Sequence, residues 1–511
     1  MLGRPFRSAA RETHRPRVAI IGAGFAGLCA AIKLKHAGFV DVTIYEKADS
    51  LGGTWYYNRY PGAACDVPSL LYSFSFEQTS RWTRRFAPQQ EILEYLEHCA
   101  DRYGLREHVQ LKTEVAGARY DADRGEWTLR TVGGELHIHD MVISAVGQLD
   151  RPFTPDLPGL GRFTGRTVHS ARWTGEGIEG KRVAVVGSGA SAIQIIPPVA
   201  RMAQRLSVFQ RSPNWILPRG DRSYGEAGHG PLSSVPGLRR LLRASVFGVL
   251  EFAFTVLGHG GRGSWTGQAL EKVALAELRR RVPDGALRAR LTPEYPVGCK
   301  RILLSDDYYQ SLQRANVELV TDGIQEVTPT GVRTADGTEH QIDTIVFATG
   351  FESTRFLVPM EIEGPGGRLH DLWEQGAEAH LGMMVPGFPN FFMLYGPNTN
   401  LGHNSIVFMI ECQVGYVVQT LQELVRRQGA SVDVQPQVAR QYNVAIQRAA
   451  QRSVWAAACT NWYKLADGKI VNNWPHYSLQ YWWRTRTPDF SQMAITPRAP
   501  QMPTRSRTAS A

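Results

Sequence analysis

Two glycine-rich turns in the sequence have the residue types and spacing that bind the pyrophosphate of a dinucleotide. In the first, Gly22, Gly24 and Gly27 follow a β-branched run typical of a buried parallel strand. The first glycine permits the tight turn, the second lets the backbone approach phosphate, and the third lets the helix pack on the strand. Glu46 ends the next predicted strand about 20 residues further on, where a carboxylate can accept a hydrogen bond from a ribose 2′-hydroxyl.

The second turn has the same pattern with one informative difference. Gly187, Gly189 and Ala192 follow another apolar run, and the position that matches Glu46 is occupied by Arg211. A carboxylate at this position suits a free 2′-hydroxyl, whereas a guanidinium suits a 2′-phosphate. We therefore expect FAD in the first unit and NADPH in the second. A protein that holds two dinucleotides usually moves electrons between them.

These patterns predict an α/β fold with two Rossmann-like dinucleotide-binding domains, in which the NADP domain is inserted in the FAD domain and carries a helical insert. The segment His340 to Glu352 is interpreted as a buried strand that returns to the first nucleotide sheet. The expected segments are a disordered lead-in (1–16), the first part of the FAD domain (17–150), the first part of the NADP domain (151–221), the helical insert (222–297), the return of the NADP domain (298–340), the second part of the FAD domain (341–497) and a disordered tail (498–511).

Composition narrows the function classes. The 511 residues carry a formal net charge of +10, but no basic run alternates with aromatic residues, so we do not expect nucleic-acid binding. The six cysteines show no metal-ligand spacing, which favours a reduced cytoplasmic protein with buried thiols and no metal site. The apolar run Ala244 to Leu257 is too short to span a bilayer and is predicted to pack as a core helix, with contact to lipid left open.

Two further motifs resemble those of a known family, the type I Baeyer–Villiger monooxygenases, a branch of the class B flavoprotein monooxygenases. FTGRTVHSARW matches one family signature at Phe163, Gly165, His169 and Trp173, between the two glycine turns. GGTWYYNRYPGAACD matches a second signature, at Gly53, Trp55, Pro61, Gly62 and Asp66. The resemblance extends from about Val18 to Asp489 and includes ATG at 348–350 and GPN at 396–398. Thr174 departs from the proline or aspartate usual after the tryptophan.

The resemblance implies a reaction and a site. In this family NADPH reduces FAD, O₂ adds to the flavin as a C4a-peroxide, and the peroxide anion attacks a ketone to give an ester or lactone. By the matching motif, Arg301 is the cation that stabilises the charge and Asp66 the carboxylate that orients it. Lys300 matches a 2′-phosphate contact beside Arg211 and Ser212. His169 and Trp173 are interpreted as structural and allosteric parts of the segment that joins the domains.

The remaining expected cofactor contacts follow the same signatures. On the FAD side they are Gly53, Thr54, Trp55, Asp66, Tyr72 and Val115, and on the NADP side they are Ser188, Ala190, Ser191, Gln194, Ser212, Lys300 and Arg301.

Three alternatives remain at this stage. A related flavin monooxygenase that oxygenates nitrogen or sulfur usually has Tyr or Phe where Trp173 stands, so Trp173 together with Asp66 and Arg301 favours ketone oxidation. A pyridine-nucleotide disulfide reductase would need two redox cysteines on the helix after the first acidic strand, and the sequence has none there. A non-catalytic flavin-binding redox sensor would not need the matching catalytic residues. The expected partners are a small ketone and O₂, while the ketone class, regiochemistry and oligomeric state stay open.

Overall fold

The computed structural model describes residues 16–175, 177–225, 235, 237–257 and 264–497. The predicted disordered tail and, apart from Pro16, the predicted lead-in lie outside the described residues. The segment predicted as a helical insert is described only in part.

The first parallel sheet contains the first glycine turn. Its central strand, Val18–Ile21, is completely apolar and almost inaccessible to solvent, as expected for a strand covered on both faces. Every neighbouring pair in the sheet is parallel. The order of the five strands is Phe391–Met393, Met141–Ser144, Val18–Ile21, Val42–Tyr45 and Val109–Gln110.

The second parallel sheet contains the second glycine turn and lies, in sequence, between the strands of the first. Its five strands are Val317–Val320, Arg205–Phe209, Arg182–Val186, Thr344–Phe347 and Arg166–His169, in that order. All pairs are parallel. Because the first sheet regains a strand only at Phe391, the second unit is inserted into the first, as predicted.

The structure corrects one part of the predicted domain order. Thr344–Phe347 was expected in the first sheet, but it pairs with Arg182–Val186 on one side and Arg166–His169 on the other. The second unit therefore continues past the predicted boundary at residue 340. A buried apolar run of this kind fits the interior of either parallel sheet, so its own residues do not choose the neighbours.

The remaining strands form smaller sheets around these two. A mixed sheet of five strands packs beside the first unit and supplies Val115 to the cavity described below. Its strands are Gly367–Arg368, Glu361–Gly364, Val115–Asp121, Glu126–Thr131 and Leu136–His139. The others are the antiparallel set Ile324–Thr328, Gly331–Thr334 and Glu339–Gln341, the parallel pair Ile216–Leu217 and Leu303–Leu304, and the antiparallel pair Gly429–Val434 and Met493–Pro497.

Each glycine turn leads into a helix, Phe25–His36 in the first unit and Ala190–Met202 in the second. The others are Thr54–Tyr57, Gln89–Arg102, Leu238–Leu257, Trp265–Arg281, Gly285–Arg290, Tyr308–Ser311, Leu369–Leu372, Ile406–Arg426, Pro436–Ala450 and Ser478–Thr485.

The apolar helix Leu238–Leu257 is not the core helix that its composition predicts. Phe254 and Glu251 are buried, but Val249 and Phe252 are 69% and 71% exposed. The helix therefore covers the protein with one side and presents apolar residues on the other. Among the described residues, no helix is long and apolar enough to cross a membrane.

Two of the six cysteines differ from the expected buried thiols. Cys299 and Cys459 form a disulfide bond, while Cys29, Cys65, Cys99 and Cys412 are free and buried. The two bonded residues are 160 positions apart in sequence, which is why spacing could not indicate the pair.

Candidate active site

One cavity of about 390 Å³ is lined by the first glycine turn and by residues of the second unit, while the glycines of the second turn lie outside its wall. The first unit contributes its turn, the acidic strand end and the loop that begins at Gly52. The second contributes the start of its first helix, and Arg301 joins from the loop before Leu303–Leu304. Of the expected site residues, the cavity wall includes Gly22, Gly24, Glu46, Gly53, Thr54, Trp55, Asp66, Tyr72, Val115, Ala190, Ser191, Gln194 and Arg301.

The first glycine turn is too closely packed for larger residues. Gly22 has a φ of +106°, and a Cβ there would lie 2.8 Å from the carbonyl oxygen of Ala145. A Cβ on Gly27 would lie 1.8 Å from the carbonyl oxygen of Gly22. These contacts allow the helix to begin directly against the strand, so its backbone N–H groups point into the cavity where an anion can bind.

Glu46 stands at the mouth of this turn in the position of a ribose acceptor. Its carboxylate is buried and accepts hydrogen bonds from the backbone N–H groups of Ala23, at 2.8 Å, and Ala48, at 2.9 Å. Each carboxylate oxygen has a second lone pair, so Glu46 can still accept from a ribose hydroxyl. The turn and this carboxylate together fit the nucleotide half of FAD.

The loop after Gly52 packs directly against the first turn. Gly53 adopts a φ of +55°, and a Cβ there would lie 3.1 Å from the Cα of Gly24. Trp55 donates its indole N–H to the hydroxyl of Tyr72 at 3.2 Å, and the two rings meet edge to face. The aromatic residues of this signature thus form one wall of the flavin cavity.

The second glycine turn repeats the first in geometry. Gly187 has a φ of +122°, and a Cβ there would lie 2.5 Å from the carbonyl oxygen of Ala348. Ala348 follows the strand Thr344–Phe347 just as Ala145 follows Met141–Ser144. A Cβ on Gly189 meets nothing within 4 Å, so this part of the turn is open to a ligand.

The expected 2′-phosphate residues form one positively charged cluster. Lys300 donates to the hydroxyl of Ser212 at 2.8 Å. Burial lowers the pKa of Lys300, and the positive charge of nearby Arg211 lowers it further. Within the part of the chain that the structure describes, neither cation has an acidic partner, and such a pair is suited to a doubly charged phosphate, so this end of the second sheet fits NADPH.

Other predicted NADP contacts have structural roles as well. Ser188 donates to the carbonyl oxygen of Ser212, and Ala192 is buried in the core of the second unit. Gln194 crosses to the first unit, where its amide donates to the carbonyl of Ala64 at 3.0 Å and accepts from Tyr60 at 2.9 Å. A Cβ on Gly62 would lie 2.4 Å from the carbonyl oxygen of Gln194, which explains the glycine of the second signature.

Arg301 and Asp66 form an ion pair in the cavity. The guanidinium Nη2 lies 2.6 Å from the Asp66 carboxylate, and the two side chains are 29% and 27% exposed. The negative charge of Asp66 raises the pKa of Arg301, although burial acts in the opposite direction. Arg301 therefore remains a cation, held at one point by a carboxylate from the other unit.

Two tyrosines near Arg301 were not predicted from the sequence. Tyr395 lies on the cavity wall, and its hydroxyl donates to Asn400 at 2.6 Å. Burial raises the pKa of Tyr463 to about 12, while the charge of Arg301 acts in the opposite direction. Both hydroxyls keep their protons near neutral pH. The only signal for Tyr395 was its place beside the GPN turn, and Tyr463 had none.

The signature segment between the two turns forms the edge strand Arg166–His169 of the second sheet. Burial lowers the pKa of His169, and its Nδ1 accepts from the backbone N–H of Ala171 at 3.1 Å. Gly165 lies against the carbonyl of Asp343, and Phe163 and Trp173 pack on the core of the second unit. These residues do not line the cavity. Arg166 donates a hydrogen bond to Thr174, the residue that departs from the family pattern.

The helix Leu238–Leu257 is attached to the cavity wall by one buried carboxylate. Glu251 accepts hydrogen bonds from Asn404 at 3.0 Å and from the backbone N–H of Leu479 at 2.9 Å, and lies 3.4 Å from Nε2 of His403. Asn404 itself lines the cavity. The helical insert is thereby connected to the substrate side of the site.

Comparison with known proteins identifies the family. The sequence model described as flavin-binding monooxygenase-like matches residues 15–227. A Baeyer–Villiger monooxygenase of Streptomyces coelicolor is 42% identical over 491 residues, covering 95% of this chain and 93% of that protein. The chain belongs to the Baeyer–Villiger monooxygenase family.

Solved structures of related enzymes agree with this. A steroid monooxygenase bound to NADP superimposes with a TM-score of 0.84 and 32% sequence identity, covering 94% of this chain and 99% of the other. The complex of OTEMO with FAD and NADP gives a TM-score of 0.83 at 28% identity over the same 94% and 99% of the two chains. The predicted family, fold class, enzyme class and pair of cofactors are confirmed. The individual residue roles stay predictions.

Proposed function

We propose that this protein uses NADPH and O₂ to convert a small ketone into an ester or lactone, with Arg301 and Asp66 at the reacting centre. The observation that carries this proposal is the 2.6 Å ion pair between these residues in a cavity bordered by the first glycine turn and by the first helix of the second unit. When bound, FAD accepts a hydride from NADPH and activates O₂ for addition to a carbonyl.

The contribution of Arg301 is electrostatic. Its guanidinium presents a fixed positive charge to the oxygen on which negative charge develops when a carbonyl is attacked. In a cavity with little water such a charge stabilises the transition state more strongly than it would in bulk solvent, because it is already oriented before the reaction begins. The Arg301 guanidinium stays protonated during the reaction, because the negative charge of Asp66 raises its pKa.

The contribution of Asp66 is to hold Arg301 in place. Asp66 comes from the first unit and Arg301 from the second, so the ion pair also ties the two units together at the site. Removing the carboxylate would leave a partly buried cation without its partner and able to take another position. Asp66 is therefore proposed as a positioning residue for the guanidinium.

The nicotinamide nucleotide would be held by the second turn and by the cluster of Lys300, Ser212 and Arg211. Selection of NADPH over NADH follows from the two cations, since only NADPH carries a 2′-phosphate. The FAD would be held by the first turn, Glu46 and the aromatic wall around Trp55 and Tyr72. Because NADPH is the reductant, we propose that the protein works in the cytoplasm.

A panel of ketones tests the proposed function. Cyclic, linear, aromatic and steroid-like ketones are incubated with the holoenzyme, NADPH and ¹⁸O₂, and products are analysed by mass. We expect at least one ester or lactone that contains a single ¹⁸O atom and forms in step with NADPH consumption. Omission of NADPH is the control. Consumption of NADPH with every ketone returned unchanged, or oxygenation of amines and sulfides only, would contradict the proposal.

The helical insert is proposed to shape substrate access, and Glu251 offers a way to test this. Burial raises the pKa of Glu251, but hydrogen bonds from His403, Leu479, Ser478 and Asn404 more than offset this and hold it below the ordinary value of 4.5. We expect Glu251→Gln to change the order of preference among ketones while the bound FAD is retained. Its unfolding free energy at pH 7 should fall by about 1–3 kcal/mol.

The pH dependence of that stability loss gives a second measurement. A carboxyl group whose pKa is lower in the folded state stabilises the fold above its unfolded pKa, and this contribution is lost as the pH falls through the folded pKa. The difference between wild type and Glu251→Gln should therefore be full at pH 7 and shrink below pH 4.5. The exposed Glu374→Gln serves as a control. Equal stability of Glu251→Gln and wild type at pH 7 would disprove the anchoring role.

A further inference from the structure

The Cys299–Cys459 disulfide lies immediately beside the proposed catalytic arginine. Cys299 is followed by Lys300 and Arg301, so the crosslink is two residues from the guanidinium-bearing position. Cys299 is fully buried and Cys459 is 8% exposed. The separation of their Cα atoms, 6.5 Å, is within the range that a disulfide spans without backbone movement.

The crosslink joins two loops that meet around Arg301. One is the loop before Leu303–Leu304 and the other is the segment that ends at Tyr463. Asn461 bridges them again, because its amide donates to the carbonyl of Cys299 at 3.1 Å. Burial raises the pKa of Tyr463 to about 12, and the charge and backbone of Arg301 act in the opposite direction. Neither loop is part of a long strand or helix, so these side-chain links, together with the ion pair to Asp66, restrict the position of Arg301.

Both cysteines belong to one small apolar cluster. Its other members include Phe254, Val454, Trp455, Ala457, Tyr463 and Ile470. Phe254 belongs to the helix Leu238–Leu257, and its ring stacks on His403 at 4.3 Å. The disulfide therefore joins the Arg301 loop to the Tyr463 loop, and the cluster around it also includes Phe254 of the helical insert.

We propose that Cys299 and Cys459 form a redox modification site that positions Arg301, a proposal that rests on the proposed function. In a reducing compartment, a disulfide in a protein is usually transient and responds to oxidants. With the crosslink closed, Arg301 is held against Asp66. With it open, the loop loses its covalent attachment and the guanidinium is less well placed for the reaction.

The oxidant class that closes this crosslink is a peroxide. The thiolate of one cysteine attacks an oxygen of hydrogen peroxide, the O–O bond breaks, and hydroxide leaves and is protonated to water, so that this cysteine becomes a sulfenic acid. The thiol of the second cysteine then attacks the sulfenic sulfur, the S–S bond forms, and a second water is released. Two thiols and one hydrogen peroxide thus give one disulfide and two waters. A dithiol reductant reverses the change by exchange, forming its own cyclic disulfide and returning both thiols.

The first experiment tests the crosslink without any catalytic assay. Protein purified in air without reductant is denatured in an alkylating reagent, and its mass is measured before and after prior treatment with dithiothreitol. Four of the six cysteines should be alkylated before reduction and all six afterwards. A tryptic peptide pair joined through Cys299 and Cys459 should be present only in the unreduced sample. Six alkylated cysteines at the outset, still six after the native protein has been treated with hydrogen peroxide, would overturn the proposal.

The second experiment measures coupling, the amount of ester formed per NADPH consumed. We expect reduction of the native holoenzyme by dithiothreitol to lower coupling by about 3- to 10-fold, because small misplacements of a catalytic group are costly. Removal of the reductant and addition of a stoichiometric amount of hydrogen peroxide should restore it. The variants Cys299→Ala and Cys459→Ala should show the lowered coupling and no response to either reagent.

The control variant is Cys99→Ala, which removes a buried thiol from the helix Gln89–Arg102 and should respond as wild type does. Reversible reduction of the wild-type chain keeps the test valid if a cysteine variant does not fold. Coupling that is identical in both redox states, with the crosslink shown by mass to open and close, would overturn the positioning role. Absence of ester with any ketone in either state would instead count against the proposed function.

Discussion

Replacement of Arg301 by alanine should abolish ester formation while leaving FAD bound and reducible by NADPH. Loss of a single preorganised group that stabilises developing negative charge costs about 10²–10³-fold in kcat. Here the loss should reach at least about 10³-fold, because Asp66 is left as an unpaired charge in the cavity. NADPH consumption should continue with release of hydrogen peroxide. The measurements are ester yield, hydrogen peroxide yield and bound flavin absorbance.

Two variants separate the charge from its position. Arg301→Lys keeps a cation but not the planar fork, and we expect a measurable but low ester yield. Asp66→Asn keeps the shape of the carboxylate and removes its charge, so it should lower ester yield less than Arg301→Ala does. If Arg301→Ala gave as much ester as the wild type, the proposed role of Arg301 in the reaction would be disproved. Loss of FAD from that variant would show instead that the ion pair is structural.

Replacement of Arg211 by alanine should raise the KM for NADPH far more than the KM for NADH. The guanidinium lies at the end of Arg205–Phe209, close to Lys300 and Ser212. Its loss removes charge-assisted hydrogen bonds to the 2′-phosphate of about 1–3 kcal/mol, and every 1.4 kcal/mol is tenfold in affinity. We expect an increase of about 10- to 100-fold for NADPH. Steady-state kinetics with each nucleotide provide the measurement.

Arg205→Ala is the matched control for this variant. Arg205 begins the same strand at its opposite end and pairs with the exposed Glu318 at 2.8 Å, away from the second glycine turn. Its removal should leave both KM values unchanged, since exposed ion pairs contribute little. Lys300→Ala should reproduce part of the Arg211 effect. If Arg211→Ala changed the KM for NADPH and the KM for NADH equally, the assignment of Arg211 to the 2′-phosphate would be contradicted.

Much of the candidate site could be predicted because its parts are local in sequence. A glycine turn, the strand before it and the acidic or basic residue about 20 positions later form a unit whose spacing reflects geometry directly. Glu46 and Arg211 were found in this way, and the structure places each at the end of its strand. Asp66 and Arg301 were found only through the family signatures, because nothing in either residue's neighbourhood indicates the other.

Other parts of the site depend on contacts between distant segments. Gln194 was predicted to contact a nucleotide, yet its side chain bridges the two units at Ala64 and Tyr60. Tyr463 and Asn404 lie in loops where no sequence motif indicated a contact with the site. Glu251 could be read as a polar interruption of an apolar helix, but its partners at His403 and Leu479 lie far along the chain.

The sequence by itself predicted two dinucleotide sites and indicated, from Glu46 and Arg211, which of them takes a 2′-phosphate. That prediction rests on short runs of residues whose spacing reflects the geometry of a glycine turn. The roles of Asp66 and Arg301 stay predictions that the family resemblance implies. Only the tertiary structure decided that Thr344–Phe347 belongs to the second sheet, that the insert helix is half exposed, and that Cys299 meets Cys459 beside Arg301. An apolar strand, an amphipathic helix and a cysteine each fit many neighbours equally well, so their partners are chosen by the packing of the whole chain.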